Sequence, residues 1–170
     1  RWLAPGEVGC MPSTLIDSFL GQAATAGLVE KEVLEQVLEA MLHHANNPAP
    51  EKRFGRTGIA EYVKMGYVPC DQYKQSVNLT QDFAFGDYCI AKVAQVLGKT
   101  ELAEEYFARS KYYKALLDPE TRFMRPKNTD GSFKEGFDPL AWDNDYTESS
   151  AWQATFAVPH DLKGLAECMG

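Results

Sequence analysis

Side chains that can do acid–base and ring-stacking chemistry stand close together between residues 145 and 161, in the stretch DYTESSAWQATFAVPHD. Glycoside hydrolysis uses two carboxyl groups, one of which protonates the leaving oxygen while the other acts as base or nucleophile. The protonating acid needs a raised pKa, which burial beside an aromatic ring can provide. Glu148 is a candidate for such an acid, because Trp152 follows one helical turn later and would share its helix face.

Ordinary structural roles explain the same residues. If Asp145 is the N-cap of a helix, Glu148 stands at the third helical position and reaches back to the N-cap amide, in a variant of the capping box. Trp152 would then be a core tryptophan. Asp161, which follows His160, would cap the next short helix. The spacing alone leaves these roles and the catalytic role open.

Charge and hydropathy exclude two broad classes of function. The 170 residues carry a formal net charge of -7, and their lysines and arginines are scattered along the chain. Nucleic-acid binding needs clustered positive charge, so we expect no nucleic-acid partner. No run of about 18 apolar residues is present, and we expect no membrane span. Because the sequence begins at Arg1 and ends just after a helical-looking run, we expect it to be part of a longer protein.

Cysteine and histidine spacing indicates no metal site. The four cysteines are Cys10, Cys70, Cys89 and Cys168. They form no C-x-x-C pair and have no histidine at zinc-finger spacing, so we expect buried thiols, and the sequence does not determine a disulfide pairing. His43 and His44 are adjacent and point about 100° apart on a helix, so they cannot share one metal as residues four apart would.

Apolar spacing with a 3.6-residue period predicts a series of helices. We expect them at about 14–26, 30–44, 57–66, 76–97 and 103–117, with another beginning near Asp145. Ser13 and Thr100 are the predicted caps of the first and fifth. The expected buried stripes are Leu15, Ile16, Phe19, Leu20 and Ala23 on the first helix and Val33, Leu34, Val37, Leu38 and Met41 on the second. On the fifth, the residues expected to face solvent are Glu104, Glu105, Arg109 and Lys111. The glycosylation pattern Asn78-Leu79-Thr80 falls inside a predicted helix and is interpreted as a chance match.

Residues 118–144 lack a helical period, and Asp130-Gly131 within them is typical of a tight hairpin turn. Loops of this length inside a compact domain are usually functional. We therefore expect a long loop or small β-hairpin at the site end of a helical barrel. Antiparallel helix pairs fit an α/α toroid or a helical-repeat solenoid, and the lack of a fixed repeat of about 34 residues favours the toroid. The predicted fold class is all-α.

The stretch around Glu148 resembles the signature of glycoside hydrolase family 92, the calcium-dependent exo-acting α-mannosidases. The resemblance lies in D-Y-T-E-x-x-A-W-Q at 145–153 and V-P-H-D at 158–161. Further segments are similar to the family in the same order along the chain. These segments are Arg1-Trp2 with Pro5-Gly6, then residues 66–69, 76–77 with 87–91, 118–125, 127–132 and 137–139.

The resemblance implies that residues 1–170 are a single partial domain, the central part of an (α/α)6-toroid catalytic domain. It implies an inverting exo-α-mannosidase of α-1,2 type, which removes terminal α-linked mannose from glycans with Glu148 as general acid. The family's base is an aspartate in a later glycine-rich segment, so we expect it downstream of this chain and expect the chain alone to be inactive. Mannose-containing glycans such as N-glycans are the implied substrate, and the implied location is secreted, periplasmic or at the cell surface.

The same resemblance nominates residues for substrate binding. Those in or near the site are Trp152, Gln153, His160 and Asp161, and two further candidates on the loop are Arg125 and Lys127. Calcium is the implied cofactor. Oxygen coordination of calcium takes six to eight ligands, which we expect to lie largely outside this chain, and the metal-binding residues stay unknown.

Some positions depart from the family's usual pattern. Ser149-Ser150 replaces Gly-Asn or Ala-Asn after the glutamate, and Ala154 and Ala157 replace aromatic residues after the glutamine. Residues 11–13 also differ, and these changes bear on the sugar pocket more than on the acid. Two other classes of function stay open here: a non-catalytic helical module that binds glycan or protein, and a different α/α-toroid glycosidase or lyase.

Overall fold

A computed structural model describes residues 15–51, 54–142 and 144–170 of the chain. These ranges contain helices and no β-strand, so the all-α prediction is confirmed for the part that the structure describes. The elements are α1 (Ile16–Thr25), α2 (Lys31–Asn46), α3 (Ile59–Met65), α4 (Ser76–Val96), α5 (Thr100–Arg109), a 3₁₀ helix (Tyr112–Leu116), α6 (Ala151–Ala154) and α7 (Leu162–Met169). The predicted cap at Ser13 and the family-like segment at 1–6 lie outside the described residues.

Helix ends differ from the prediction in three respects. The fifth helix was expected to run to residue 117, but α5 ends at Arg109 and a separate 3₁₀ helix follows. Thr100 is the first residue of α5 and not its cap, since the N-cap is Lys99, which makes no side-chain capping bond. The helix expected near Asp145 begins later, at Ala151.

Helix α4 is the centre of the fold. It packs against α1, α2, α5 and the 3₁₀ helix. Buried residues lie on most sides of it, among them Val77, Phe83, Ile90 and Val93. A helix that is apolar on more than one face is stable only when other elements surround it. Short connections join α1 to α2 and α4 to α5, an arrangement consistent with helix pairs from an (α/α)6 toroid.

The buried face of α1 differs from the predicted stripe. Ile16 and Phe19 are 53% and 66% exposed, whereas Asp17 and Gly21 point inward. Asp17 turns inward because its carboxylate binds the buried guanidinium of Arg56 at 2.9 Å. Gly21 faces α4 because it has no side chain, which lets the two helices approach closely. A Cβ at this position would stand only 2.9 Å from the Cβ of Cys89 on α4. A buried ion pair and a close helix approach therefore outweigh the apolar period on this helix.

Arg109 was expected to face solvent, and this prediction is wrong. Its Nε lies 2.7 Å from Asp87 on α4, and its side chain is only 8% exposed. Asp87 also binds Arg56 at 2.7 Å and accepts a hydrogen bond from the hydroxyl of Tyr62 at 2.9 Å. Arg109 also donates to the carbonyl oxygen of Ala45 at 2.7 Å. This network ties α2, α3, α4 and α5 together, because a buried charge is tolerated only when it is paired and hydrogen-bonded.

The loop at 118–144 forms two isolated antiparallel bridges, Leu117 with Met124 and Lys127 with Phe133. Gly131 adopts a positive φ of 88° at the predicted tight turn. The backbone N–H of Asn128 donates to the carbonyl oxygen of Ser132 at 2.9 Å and closes that turn. The loop is thus hairpin-like without a strand in its described residues. No helix in the described part of the chain combines the length and apolar character that crossing a bilayer requires.

Candidate active site

The segment before Glu148 is docked on the first turn of α4. The backbone N–H of Gln75 donates to the carbonyl of Asn144 at 2.8 Å, and that of Val77 donates to the carbonyl of Asp145 at 3.2 Å. The first N–H groups of a helix have no partner inside the helix. Carbonyl groups from a distant segment therefore satisfy the start of α4, and this fixes where the chain enters the candidate site.

The helix that follows begins at Ala151 and not near Asp145. Ser150 is the N-cap, with extended φ and ψ of −116° and 176°, and Gln153 completes a capping box. The carboxylate of Asp145 does not cap the helix. Its Oδ2 forms an ion pair with the Nζ of Lys134 at 2.7 Å. The interpretation of Glu148 as a capping residue at the third helical position is therefore wrong. The S-x-x-Q box prevails because contacts with the loop and with α4 hold the chain out of a helix before Ser150.

Glu148 is exposed and lies in a left-handed backbone conformation with φ of 48°. Gln75 and Asn144, which meet through the hydrogen bond at the start of α4, also have positive φ, of 56° and 64°. A positive φ is strained for residues with a Cβ, and such strain concentrates at functional sites. No hydrogen bond or ion pair to the Glu148 carboxylate comes from the described residues. The acidic group is thus exposed on a turn with a strained backbone.

Trp152 does not lie beside Glu148, contrary to the prediction from the sequence. Its side chain is 54% exposed, so it is not a core tryptophan. Its ring meets the edge of Phe123 at 5.0 Å between centroids, and Phe123 in turn lies 5.8 Å from Phe137. Glu148 is outside the helix, so the two residues do not share a helix face. The exposed indole instead begins a row of aromatic rings on the loop.

Arg125 and Lys127 continue this row of rings. The Arg125 guanidinium stands 4.7 Å from the centre of Phe137 and 5.1 Å from Phe133. The Lys127 ammonium stands 5.2 Å from Phe133 and 5.1 Å from Tyr67. Cations over ring faces are attracted by the ring quadrupole. We name the seven residues that form this row the aromatic–cation row: Trp152, Phe123, Phe137, Arg125, Phe133, Lys127 and Tyr67.

Arg125 is also bound by the loop itself. It forms an ion pair with Asp118 at 2.9 Å and donates to the carbonyl of Lys134 at 2.8 Å. Burial opposes ionisation of Asp118, but hydrogen bonds from Arg125 and Thr121 prevail and lower the pKa of Asp118 to about 2. Arg125 therefore stiffens the loop, and Lys127 is the less engaged of the two cations.

His160 and Asp161 lie in the packed layer behind α6. Asp161 caps α7, as predicted, by accepting from the N–H of Gly164 at 3.1 Å. It also accepts from the Tyr113 hydroxyl at 2.6 Å and pairs with Lys111 at 2.7 Å. These contacts occupy both of its carboxylate oxygens.

The ring of His160 lies among Phe85, Tyr88 and Tyr113, with centroid distances of 5.6 to 5.7 Å. Its Nε2 is 2.9 Å from the carbonyl oxygen of Ser110, and burial lowers its pKa. None of the contacts among the described residues joins His160 to Glu148. The structure thus brings Trp152, Arg125 and Lys127 into one row and keeps His160 in the layer beneath.

Two residues on α4 that sequence reasoning did not select hold the site in place. The side-chain oxygen of Asn78 accepts from the N–H of Thr147 at 2.9 Å. The side-chain amide of Gln81 donates to the carbonyl of Ala154 at 2.6 Å. Asn78 belongs to the tripeptide interpreted as a chance glycosylation match, and nothing in its sequence context indicates a partner 69 residues away.

A pocket of about 120 Å³ lies between the loop and the segment before Glu148. Its lining includes Lys134, Phe137, Asp138, Asn144 and Asp145. No group of three or more histidine, cysteine, aspartate or glutamate side chains that could hold a metal occurs among the described residues.

Comparison with known proteins identifies the family of the chain. The sequence profile described as "Glycosyl hydrolase family 92 catalytic domain" matches residues 1–170. The chain belongs to glycosyl hydrolase family 92. Membership in family 92 decides against one alternative left open by the sequence, a different α/α-toroid glycosidase or lyase.

Solved structures of family 92 enzymes resemble the chain closely. A family 92 inverting mannosidase from Bacteroides thetaiotaomicron superimposes with a TM-score of 0.91 at 37% identity, over 98% of this chain and 22% of that one. A family 92 α-mannosidase from the same organism, in complex with mannoimidazole, gives a TM-score of 0.82 at 32% identity, over 91% of this chain and 20% of that one.

A curated relative from Arthroderma benhamiae, described as an uncharacterized secreted glycosidase, is 27% identical over 147 residues. That match covers 68% of this chain and 19% of the relative. The chain therefore spans about a fifth of the length of each of these three proteins.

Proposed function

We propose that the protein containing this chain is an exo-α-mannosidase that releases terminal α-linked mannose with inversion, and that Glu148 is its general acid. The observation that carries the proposal is the position of Glu148 in a family 92 chain: an exposed carboxylate on a left-handed turn, with no partner among the described residues. An exposed carboxylate without a partner can approach a substrate oxygen, and the family resemblance selects Glu148 among the exposed glutamates of the chain.

The chemical role of Glu148 is to protonate the glycosidic oxygen as its bond to the anomeric carbon breaks. Positive charge develops on the sugar ring at this stage, in an oxocarbenium-like transition state. The rigid approach to Glu148, made by the hydrogen bonds from Gln75, Val77 and Thr147, limits the motion of the acid. Holding a catalytic group in place supplies much of the rate acceleration of an enzyme.

Inversion requires a second carboxylate on the opposite face of the sugar, about 6.5–9.5 Å from the first, with a water between them. We place this base outside residues 1–170, in another part of the protein. Its aspartate would remove a proton from the attacking water while Glu148 gives one to the leaving group. On this proposal residues 1–170 alone do not hydrolyse mannosides.

Contacts to the sugars are assigned to two exposed residues of α6 and to one cation of the aromatic–cation row. The indole of Trp152, backed by Phe123, offers an apolar ring on which a sugar can stack. In Gln153 the side-chain oxygen is used in the capping box, which leaves its NH₂ group as a donor for a hydroxyl. Lys127 is a second donor at the far end of the aromatic–cation row.

Three residues shape the proposed site without contacting the sugar: His160, Asp161 and Arg125. Their polar groups bind Ser110, Tyr113 and Asp118 respectively. We therefore assign them to positioning α6, α7 and the loop. Each would influence substrate binding through the residues that it holds.

Three further features of the proposal follow from the family resemblance. Calcium would be held by residues outside the described part of the chain. The linkage would be of α-1,2 type, and the substrates would be mannose-containing glycans such as N-glycans. The relative from Arthroderma benhamiae is described as secreted, which supports an exported protein.

Proton NMR of the product tests the proposed function. The full-length protein is incubated with an α-1,2-linked mannobiose, and the anomer of the released mannose is recorded before mutarotation. An inverting enzyme gives β-mannose first. If α-mannose appears first, the inverting mechanism is refuted, and if no mannose is released, the assigned linkage and substrate are refuted.

A further inference from the structure

Asp82 on α4 is a partly buried carboxylate without a partner among the described residues. The other aspartates of this part of the chain that are not fully exposed each have a cation within 2.9 Å. These paired aspartates are Asp17, Asp87, Asp118, Asp145 and Asp161. Asp82 therefore differs from the other buried or partly buried aspartates of the described residues, because it has no cation beside it. Burial raises the pKa of Asp82 to about 6.

Asp82 lies on the face of α4 that packs against the stretch 147–160. Asn78 and Phe85 stand four residues before it and three residues after it, on the same face of the helix. Asn78 binds the N–H of Thr147, and the ring of Phe85 stacks on His160 at 5.7 Å. Asp82 thus lies between two residues that contact opposite ends of the stretch 147–160, which contains Glu148.

Other polar groups along this contact also lack partners. Four of the six buried side-chain atoms without a hydrogen bond in the described structure belong to α4 or to the stretch facing it. These four atoms are the Oγ of Ser76, the Oε1 of Gln81, the Oγ of Ser149 and the Nδ1 of His160. Buried polar atoms in proteins are nearly always satisfied, so the contact between α4 and the stretch 147–160 is incompletely satisfied by the described residues.

From these observations we infer that Asp82 is a substrate-binding residue, whose carboxylate accepts hydrogen bonds from hydroxyl groups of the sugar that Glu148 acts on. An ionised carboxylate is an acceptor only and can bind two donors at once. Adjacent hydroxyls of a pyranose present two donors at matching separation. The inference rests on the proposed function for the type of ligand, and on Asp82 and its surroundings for the place.

Kinetic comparison of Asp82→Asn with the wild-type full-length protein tests the inference. The amide has the same shape but replaces one acceptor with a donor, and hydrogen bonds to a charged group are the stronger ones. We expect kcat/KM for 4-nitrophenyl α-D-mannopyranoside to fall about 10- to 100-fold. Glu101→Gln, which makes the same change on the exposed start of α5, is the matched control and should leave kcat/KM unchanged.

The melting temperature of the variant and the effect of calcium on its activity distinguish substrate binding from a structural or metal-binding role of Asp82. Because Asp82→Asn removes no contact with the described residues, its melting temperature should not fall. Wild-type kcat/KM in the variant would overturn the inference. A variant that is destabilised but shows wild-type kcat/KM in its folded fraction would also overturn it. Recovery of activity when calcium is raised would overturn it in favour of a metal-binding carboxylate.

A panel of 4-nitrophenyl glycosides distinguishes failure of the inference from failure of the proposed function. The panel contains the α-mannoside, β-mannoside, α-glucoside and α-galactoside. If the wild-type protein cleaves a glycoside other than the α-mannoside, the proposed function is wrong. Asp82 is then judged by the same kcat/KM ratio on that glycoside, where a loss supports its role and an unchanged ratio contradicts it.

Discussion

The backbone N–H of Thr147 donates to the side-chain oxygen of Asn78 at 2.9 Å. This one contact joins the residue before the candidate acid to the first turn of the central helix. The main-chain hydrogen bonds from Gln75 and Val77 lie beside it. Glu148 is therefore positioned by α4, although the two segments are far apart in the sequence.

Replacement of Asn78 tests this positioning. Asn78→Ala removes the acceptor for Thr147, and we expect kcat to fall about 10-fold or more, because small displacements of a catalytic group are costly. Asn78→Asp keeps an oxygen acceptor and should recover most of the activity. Asn47→Ala, an exposed asparagine at the end of α2, serves as the control. Equal kcat for Asn78→Ala and wild type, in steady-state assays of the full-length protein, would contradict the positioning role.

Loss of Arg109 should destabilise the fold strongly. Arg109→Leu leaves Asp87 with one guanidinium partner in a buried place, and breaking a buried pair costs about 3–5 kcal/mol. Glu105→Ala, on the exposed side of the same helix, should change stability by less than about 0.5 kcal/mol. Urea unfolding followed by circular dichroism measures both. Similar stability of the two variants would show that Arg109 is not part of the core.

The pH dependence of stability tests the environment of Asp82. Its pKa rises from 3.8 to about 6 on folding, so the unfolded chain releases this proton at lower pH than the folded protein. The charge on Asp82 therefore lowers the free energy of unfolding as the pH rises between these values. Asp82→Asn should be more stable than wild type at about pH 7.5, by on the order of 1 kcal/mol after allowance for partial exposure.

The advantage of Asp82→Asn should shrink toward zero at about pH 4, where the folded wild type is already protonated. Thermal unfolding of the ligand-free protein at both pH values gives the comparison. An advantage that is equal at the two pH values, or a destabilised variant at the higher one, would contradict the unpaired state of Asp82.

Trp152 is expected to act in binding. Trp152→Ala removes an exposed ring that is held on edge by Phe123, and KM should rise roughly 10-fold, since aromatic contacts contribute about 1 kcal/mol or more. Trp152→Phe keeps an aromatic face and should recover part of the loss. Steady-state kinetics on mannobiose separates the KM effect from kcat. A change confined to kcat would indicate that Trp152 acts on the acid and not on the sugar.

Local sequence signals predicted the local features of this chain. The 3.6-residue period identified most helices, and Asp161 was recognised as a cap because its partner is only three residues away. Two possible capping boxes could start α6: Asp145 with Glu148, or Ser150 with Gln153. Tertiary contacts decide between them, because Lys134 and α4 engage the first residues and hold them extended.

Long-range pairs explain the predictions that failed. Arg109 and Asp87 are 22 residues apart on different helices. A helical wheel of α5 shows only the residues of α5, so it does not reveal that the carboxylate of Asp87 on α4 lies next to Arg109. The inward turn of α1 has the same origin, since Asp17 follows the guanidinium of Arg56. Family resemblance, in contrast, pointed to Glu148 without any knowledge of its backbone, and the structure adds the turn that presents it.

The most direct test of the account is the activity of Glu148→Gln in the full-length protein. On α-1,2-mannobiose, whose leaving group needs a proton, kcat should fall by about 10²–10⁴-fold. On 2,4-dinitrophenyl α-D-mannopyranoside, whose leaving group does not, the loss should be much smaller. Glu120→Gln, an exposed glutamate in the loop, should behave as wild type on both. Full activity of Glu148→Gln on mannobiose would contradict the assignment of Glu148 as the general acid.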